Sequence, residues 1–430
     1  MEGFESVVGY EDVKMELMRY ADTLKHPDKY KKLGIPTPHG VLLYGNPGVG
    51  KTTMAEAFVS LCNLPTFHLR KEKSSKEFID EIRETFVKAR ESAPSVVFLD
   101  DMDKFANEDY IHRDAPEYVT VQTGIDDSRG HSVFVIATAN DKRGFPSSLI
   151  RVGRFDRVIE IHEPTGKDSE KIIQHYLGKK SVMSDIDVEL IVRLMEGKTC
   201  AELESVINEA GIYAGYAGRD KIAQGDFLKA CLSMVYVNKK QRGQDPFDED
   251  EEVLIDSPIV FDAAVHEVGH AVVAEVLEPG SVSVISTNPI GKGCAGVTII
   301  RQAEELPLSR DLMENDVVCR LGGCAASEVV LGKRDIKGEL DLFEASNRVG
   351  NLVGGVTGLI SVQGRVSDDY IVRREHRIEL AMEKYYQKAV EIIVENRALF
   401  DALLAEVLEK ETLTYKDIAE IRAHFSEKEY

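Results

Sequence analysis

The segment Gly45-Asn46-Pro47-Gly48-Val49-Gly50-Lys51-Thr52 limits what this chain can fold into more than any other part of it. It fits Gly-x-x-x-x-Gly-Lys-Ser/Thr, follows the continuous apolar run Val41-Leu42-Leu43-Tyr44 and precedes a helical pattern. A glycine-rich turn between a buried strand and a helix lets backbone N–H groups point inward, and it aims the helix's positive end at an anion. In that setting Lys51 brings a point charge to the β and γ phosphates, and Thr52 offers a hydroxyl to magnesium. Thr53 completes this candidate nucleotide-binding set. A chance glycine-rich turn would lack the strand before it and the helix after it.

Two further apolar, β-branched runs, Val96-Val97-Phe98-Leu99 and Val133-Phe134-Val135-Ile136-Ala137, read as strands buried on both faces. Helical segments such as residues 75–91 lie between them, so the first part of the chain is α/β with a parallel sheet. Ligands of such sheets bind beyond the strands' C-terminal ends. The strand ending at Asp100-Asp101 therefore offers Asp100 to magnesium and Asp101 to the attacking water. Either acid alone reads equally well as a solvated loop residue. The next strand ends at Asn140, a polar group in reach of a γ-phosphate or that water. In Leu149-Ile150-Arg151-Val152-Gly153-Arg154-Phe155-Asp156-Arg157, arginine's fixed fork suits a phosphate clamp reaching in from elsewhere.

Residues 167–177, 187–195, 201–216 and 224–237 read as four amphipathic helices forming a small lid over residues 165–238. Residues 239–256 carry Lys239, Lys240 and Arg242 and then the acids Asp248-Glu249-Asp250-Glu251-Glu252. That run is too polar to bury and reads as a solvated linker. Residues 257–430 are mainly helical, with a strand-like interval at 281–300 and strong helical periodicity over 366–424.

A length of 430 residues suggests two to four cores. With 53 Lys+Arg against 74 Asp+Glu, the net charge of −21 argues against a protein that grips nucleic acid. The longest uncharged run, residues 349–364, is shorter than the ~20 apolar residues of a membrane span, and the N-terminus has no signal-peptide pattern. Six scattered cysteines without a Cys-x-x-Cys pair fit a reducing, cytoplasmic compartment.

Val265-His266-Glu267-Val268-Gly269-His270-Ala271 places His-Glu-x-x-His in a helical apolar pattern. Histidines four apart share a helix face, so both imidazoles reach one zinc ion. Glu267 beside them can take a proton from water, whose pKa zinc lowers to around 7. Two surface histidines are the bland alternative. Against it, the flanks Ala263-Ala264 and Val272-Val273-Ala274 read as buried, and buried histidines are costly unless paired or coordinated. A catalytic zinc needs a third protein ligand, for which spacing leaves Glu275, Glu278, Glu328, Glu339, Asp341 and Glu344 open.

Residues 4–160 resemble an AAA+ ATPase module in Phe4-Glu5-Ser6-Val7-Val8-Gly9, the phosphate loop, Asp100-Asp101, Asn140 and Arg151-Val152-Gly153-Arg154. This resemblance implies a ring, usually a hexamer, in which Arg151 and Arg154 reach a neighbouring subunit's nucleotide. It also places Val8 and Gly9, and more loosely His175, near the adenine. The order of ATPase module, helical lid and His-Glu-x-x-Gly-His-Ala is similar to the FtsH family of ATP-dependent zinc proteases. Leu321-Gly322-Gly323-Cys324-Ala325-Ala326-Ser327-Glu328 and Gly338-Glu339-Leu340-Asp341 resemble that family's later segments, which makes Asp341 the third ligand. The implied division is an ATPase subdomain at 1–164, a lid at 165–238, a linker at 239–256 and a zinc peptidase at 257–430.

The chain departs from that family in three ways. Its members usually carry N-terminal membrane helices, whereas this sequence starts almost at the ATPase module, as a soluble protein or a truncated one would. The water-activating position, usually Glu, is Asp101, and a displacement of about 1 Å can cost on the order of a hundredfold in rate. The interval Phe67-His68-Leu69-Arg70-Lys71-Glu72-Lys73-Ser74 is charged where the family has an aromatic substrate-gripping loop. The expected protein is an ATP-dependent zinc endopeptidase acting on protein substrates with ATP, Mg2+ and Zn2+. The alternative is an ATP-controlled remodelling or binding factor with little or narrow proteolysis.

Overall fold

A computed structural model of the chain describes residues 3–106, 116–143, 145–146, 148–150, 153–242, 257–288, 296–301, 309–333, 338–354 and 368–426. In chain order the elements begin α1 (Glu11–Lys25), α2 (Pro27–Lys31), β1 (Gly40–Tyr44), α3 (Lys51–Cys62), β2 (Thr66–Leu69), α4 (Ser75–Glu91) and β3 (Ser95–Leu99). A short 3-10 turn (Met102–Lys104) leads to α5 (Pro116–Asp127), β4 (Val133–Ala139) and β5 (Arg157–Glu160). Next come α6 (Gly166–Leu177), α7 (Val188–Leu194), α8 (Cys200–Tyr216) and α9 (Gln224–Arg242). The last part is α10 (Ser257–Leu277), β6 (Val282–Ser286), β7 (Val297–Ile300), α11 (Arg310–Leu331), α12 (Glu339–Gly354), α13 (Asp368–Glu395), α14 (Arg397–Lys410), β8 (Thr412–Thr414) and α15 (Tyr415–Ser426). Two compact units result: residues 1–182 with 196–221, and residues 183–195 with 222–430.

The first unit is built on a parallel sheet in the order β2-β3-β4-β1-β5. Alternate residues face opposite sides, as strand geometry requires. Val41, Leu43, Val96, Phe98 and Phe134 pack with Leu17 of α1 and Phe58 of α3. Leu42, Val97, Leu99 and Val135 pack with Phe78 and Phe86 of α4 and Val121 of α5. The three central strands are buried along their whole length and are the three that continuous apolar runs predict. The edge strands β2 and β5 are new relative to the sequence reading: Thr66-Phe67-His68-Leu69 and Arg157-Val158-Ile159-Glu160 are half solvated and mix polar with apolar residues. Three of the eight residues of the charged interval 67–74 are therefore strand, and residues 70–74 form the connection to α4. The register pairs Leu69 with Leu99, Tyr44 with Ala139 and Tyr44 with Glu160. Leu99 pairs with Ala137, so β2 and β3 end together and β4, β1 and β5 end together two residues further on, and Gly45, Arg70, Asp100 and Asn140 emerge along one edge.

The second unit surrounds α10, whose Ala264, Val265, Val268, Ala271, Val272 and Val273 are fully buried. α10 packs on α11, α13 and α14 and on an antiparallel sheet in the order β7-β6-β8. Strand β8 was hidden in the helical periodicity of 366–424; Asp417 anchors it by accepting from Thr414 N and Oγ1 at 2.8 and 2.6 Å. Helix α9 runs on to Arg242, past the residue 237 at which the helical pattern was expected to stop. Straight-chain Lys, Gln and Arg are good helix formers, which explains the extension. The remainder of the expected linker, residues 243–256, lies outside the described residues, as do Arg151 and Cys294. No helix among the described residues is long and apolar enough to cross a membrane.

Candidate active sites

The phosphate loop closes between β1 and α3. Gly48 and Gly50 hold φ of 87° and 93°, a left-handed backbone that glycine adopts without penalty. Lys51 folds back under the loop, donating to the carbonyls of Gly45 and Asn46 at 2.8 Å each and to Asn140 Oδ1 at 3.0 Å. Burial pushes its ammonium below the ordinary lysine pKa, with Asp103, Asp101 and Asp100 opposing that shift. Thr52 Oγ1 donates to Asp100 Oδ1 at 3.0 Å, and Thr138 Oγ1 donates to the same oxygen at 2.7 Å. Thr138 also accepts from the Asp101 N–H at 2.9 Å. Asp101 sits in the left-handed region at φ 52°, which aspartate tolerates better than most residues.

Val8, Val49, Gly50, Thr53 and His175 line one small cavity, joined by Tyr10, Tyr176 and Cys200. Gly9 sits beside it at φ 74°, against Asp168. Tyr10, Tyr176 and Cys200 carry no motif, so reading the sequence alone missed them. Tyr10 donates to the His162 carbonyl at 3.0 Å and lies 3.4 Å from Cys200 Sγ, which ties three distant segments around the cavity. Asn46 and Pro47 line a neighbouring cleft with Asn140, Tyr44 and Glu160.

Arg154 differs from the expectation of an outward-reaching side chain. It is 2% exposed and holds Asp126 through Nε and Nη2 at 3.0 and 2.6 Å, while Nη1 donates to the Ser148 carbonyl. The physical reason is local. Asp126 ends α5 close by, and a bidentate charged pair outcompetes solvent for a guanidinium.

In the second unit, His266 and His270 lie one turn apart on α10, and Asp341 arrives from the first turn of α12. His266 Nε2 is 3.1 Å from His270 Nε2 and 3.1 Å from Asp341 Oδ2, and His270 Nε2 is 3.5 Å from that oxygen. Ligands about 2.0–2.1 Å from one tetrahedral zinc stand roughly 3.3 Å apart, so these three atoms fit such an ion. His270 Nδ1 faces the Cys319 carbonyl at 2.8 Å, which fixes the ring with Nε2 inward. His266 Nδ1 is buried and has no partner among the described residues. Burial alone would raise the Asp341 carboxyl, but its bonds to His266 and His270 hold it well below the carboxylate range.

Of the six acids open from spacing, Asp341 is the one that joins the histidines in a group able to hold a metal among the described residues. Glu275 is engaged instead with Arg422 and the N–H groups of Gly280 and Val282, Glu328 with Tyr386, and Glu344 with Arg320. Glu267, which follows His266 in sequence, is half-buried, and its carbonyl accepts from Thr298 Oγ1 of β7 at 2.8 Å.

Close approach of α11 sets the histidines. Gly322 lies against the backbone of Gly269, and a Cβ on Gly323 would stand 2.5 Å from His266 Cε1 and Nε2 and 2.6 Å from His270 Nε2. Gly323→Ala is therefore expected to tilt both rings and weaken zinc binding by about 10–100-fold, the usual scale for supporting residues of a metal site. Competition against a chromogenic chelator measures this, and wild-type affinity would show that the rings can shift without loss.

Residues 41–163 match the ATPase family associated with various cellular activities (AAA). Across most of its length the chain is similar to proteins named ATP-dependent zinc metalloprotease FtsH. It is 30% identical to FtsH 2 of Symbiobacterium thermophilum over 97% of this chain and 74% of that protein. It is 27% identical to FtsH 2 of a Thermoanaerobacter species over 96% of this chain and 82% of the relative. The protein of Thermotoga maritima is 27% identical over 99% of this chain and 73% of its own length.

Proposed function

Because this chain belongs to the FtsH family of ATP-dependent zinc metalloproteases, we propose that its two sites work as an ATP-driven protein-feeding module and a zinc endopeptidase. Its cofactors are ATP with Mg2+ and Zn2+. One observation carries the peptidase reading: His266 Nε2, His270 Nε2 and Asp341 Oδ2 converge within 3.5 Å of one another.

His266, His270 and Asp341 would hold zinc. When bound, zinc polarises a peptide carbonyl and makes water acidic enough to react near neutral pH. Glu267 accepts a proton from the attacking water and returns it to the departing amine. In the ATP site, Gly45 to Thr53 bind the phosphates with Lys51, Thr52 and Asp100 would hold magnesium, and Asp101 orients the attacking water. Asn140 stands by the terminal phosphate, while Val8 and Gly9 bound the base. Arg151 and Arg154 serve a neighbouring subunit's nucleotide in a ring of six, and Arg154 does so by leaving Asp126. The working division is ATPase subdomain 1–164, lid 165–238, linker 239–256 and peptidase 257–430. A cytoplasmic setting is supported by the absence of any disulfide among the described residues. The remodelling alternative is not favoured, since the metal-ligand cluster and Glu267 are both in place.

Chelation tests this reading. Purified protein given casein and ATP is expected to release peptides. A zinc chelator should stop the release, and re-added zinc should restore it. Peptide release that survives complete zinc removal would rule the assignment out.

A further inference from the structure

Tyr44 ends β1, and the register sets it opposite Ala139 of β4 on one side and Glu160 of β5 on the other. The Gly45 N–H donates to the Ala139 carbonyl at 3.3 Å and closes the ladder between β1 and β4. Asn140 is the next residue, so it stands just past the last grip of the sheet. The chain then turns, with Asp141 Oδ1 accepting from the Arg143 N–H at 2.8 Å. Lys142, between them, lays its ammonium over the Tyr44 ring, 4.2 Å from the centroid, and donates to the Tyr44 hydroxyl at 2.5 Å. Tyr44 passes its own hydroxyl hydrogen to Glu160. Lys142, Tyr44 and Glu160 thus clasp three strand ends together on the wall of the cleft beside the phosphate loop.

We propose that Lys142 and Tyr44 are positioning residues for ATP hydrolysis, acting through Asn140, which their clasp holds at the edge of the phosphate loop. The inference rests on the reading of this site as an ATPase with Asn140 beside the terminal phosphate. The Asn140 amide spans the site: Oδ1 accepts from Lys51 at 3.0 Å, and Nδ2 donates to Asp103 Oδ2 at 3.3 Å. An ammonium has three hydrogens, and those of Lys51 go to Gly45, Asn46 and Asn140. A phosphate competes for the same hydrogens, so the bond from Lys51 cannot be what places Asn140 when nucleotide binds. The clasp involves neither Lys51 nor Thr52 and outlasts that exchange. It is charged at both ends, which strengthens each of its bonds, and the ammonium gains further from the ring face. Lys142 and Glu160 are exposed, so the clasp adds little to stability and its effect lies in orientation.

The test compares the full chain with Lys142→Met, Tyr44→Phe, Asn140→Ala and the double variant Lys142→Met/Asn140→Ala. It measures the Kd of a fluorescent ATP analogue, kcat and KM for Mg-ATP, and thermal melting. Lys142→Met and Tyr44→Phe are each expected to lower kcat on the order of tenfold, as a misplaced reacting group predicts, while Kd and KM stay within about twofold. Because the clasp acts through Asn140, adding Lys142→Met to Asn140→Ala should slow hydrolysis no further. The proposal is overturned if Lys142→Met or Tyr44→Phe keeps the wild-type kcat while Asn140→Ala is slow. It is equally overturned if the rate falls only in step with analogue binding or melting temperature, or if the two losses multiply in the double variant. Wild-type hydrolysis by Asn140→Ala would remove Asn140 from the chemistry, and wild-type hydrolysis by Lys51→Ala would overturn the ATPase reading itself; either result takes this inference with it.

Discussion

Glu267→Gln is expected to keep its zinc and lose peptide-bond cleavage by about 10²–10⁴-fold, the contribution of a placed general base. The side chains have the same size, but the amide cannot accept a proton near neutral pH. Glu267 is not one of the three converging ligand residues, so the metal has no reason to leave. Its placement depends on β7. Gly296, just before that strand, lies so close that a Cβ on it would be 2.7 Å from Glu267 Cγ, and Thr298 holds the Glu267 carbonyl. Zinc per chain by mass spectrometry and cleavage of a short fluorogenic peptide separate the two effects. A zinc-loaded variant cutting at the wild-type rate would remove Glu267 from the chemistry.

The second large effect concerns Lys51→Ala. Losing the ammonium leaves the phosphates without their buried charge partner, a cost of about 2–5 kcal/mol, or roughly 30- to several-thousandfold in nucleotide affinity. It also removes the three bonds from Lys51 to Gly45, Asn46 and Asn140, which brace the loop. Degradation of a folded protein should stop, because no hydrolysis drives it. Cleavage of a short unstructured peptide should persist, since the ligands and Glu267 are untouched. Nucleotide binding by fluorescence and degradation of folded and unfolded substrates measure this. Undiminished degradation of the folded protein would show that proteolysis here does not draw on ATP.

Both variants lie in motifs that were legible in the sequence, for the same physical reason. A phosphate loop and a pair of histidines four apart are local: one turn or one helix face brings every member together, so spacing along the chain is spacing in space. The same holds for β1, β3 and β4, whose burial on both faces writes itself as an unbroken apolar run. The edge strands β2 and β5 carry no such run because water covers one side of them.

Asp341 shows where locality ends. It lies 75 residues from His266, and spacing ranked it no higher than five other acids; the family resemblance singled it out. The site takes shape only when α11 packs on α10 through Gly269, Gly322 and Gly323 and α12 then presents its first turn. Arg154 is the converse. Its motif suggests a side chain offered to a neighbour, but the packing of α5 supplies Asp126 and turns it inward.

The sequence by itself determined the chemistry available: a nucleotide-phosphate loop, a metal-binding helix and their order along the chain, each held in a few contiguous residues. Tertiary structure alone decided which distant residue completes each constellation. It put Asp341 beside the histidines, Tyr10 and Cys200 around the cavity next to the phosphate loop, and Arg70 across Asp100 and Asp101. Those partners meet through helix packing and strand register, which depend on contacts among the whole set of elements rather than on any one segment's pattern.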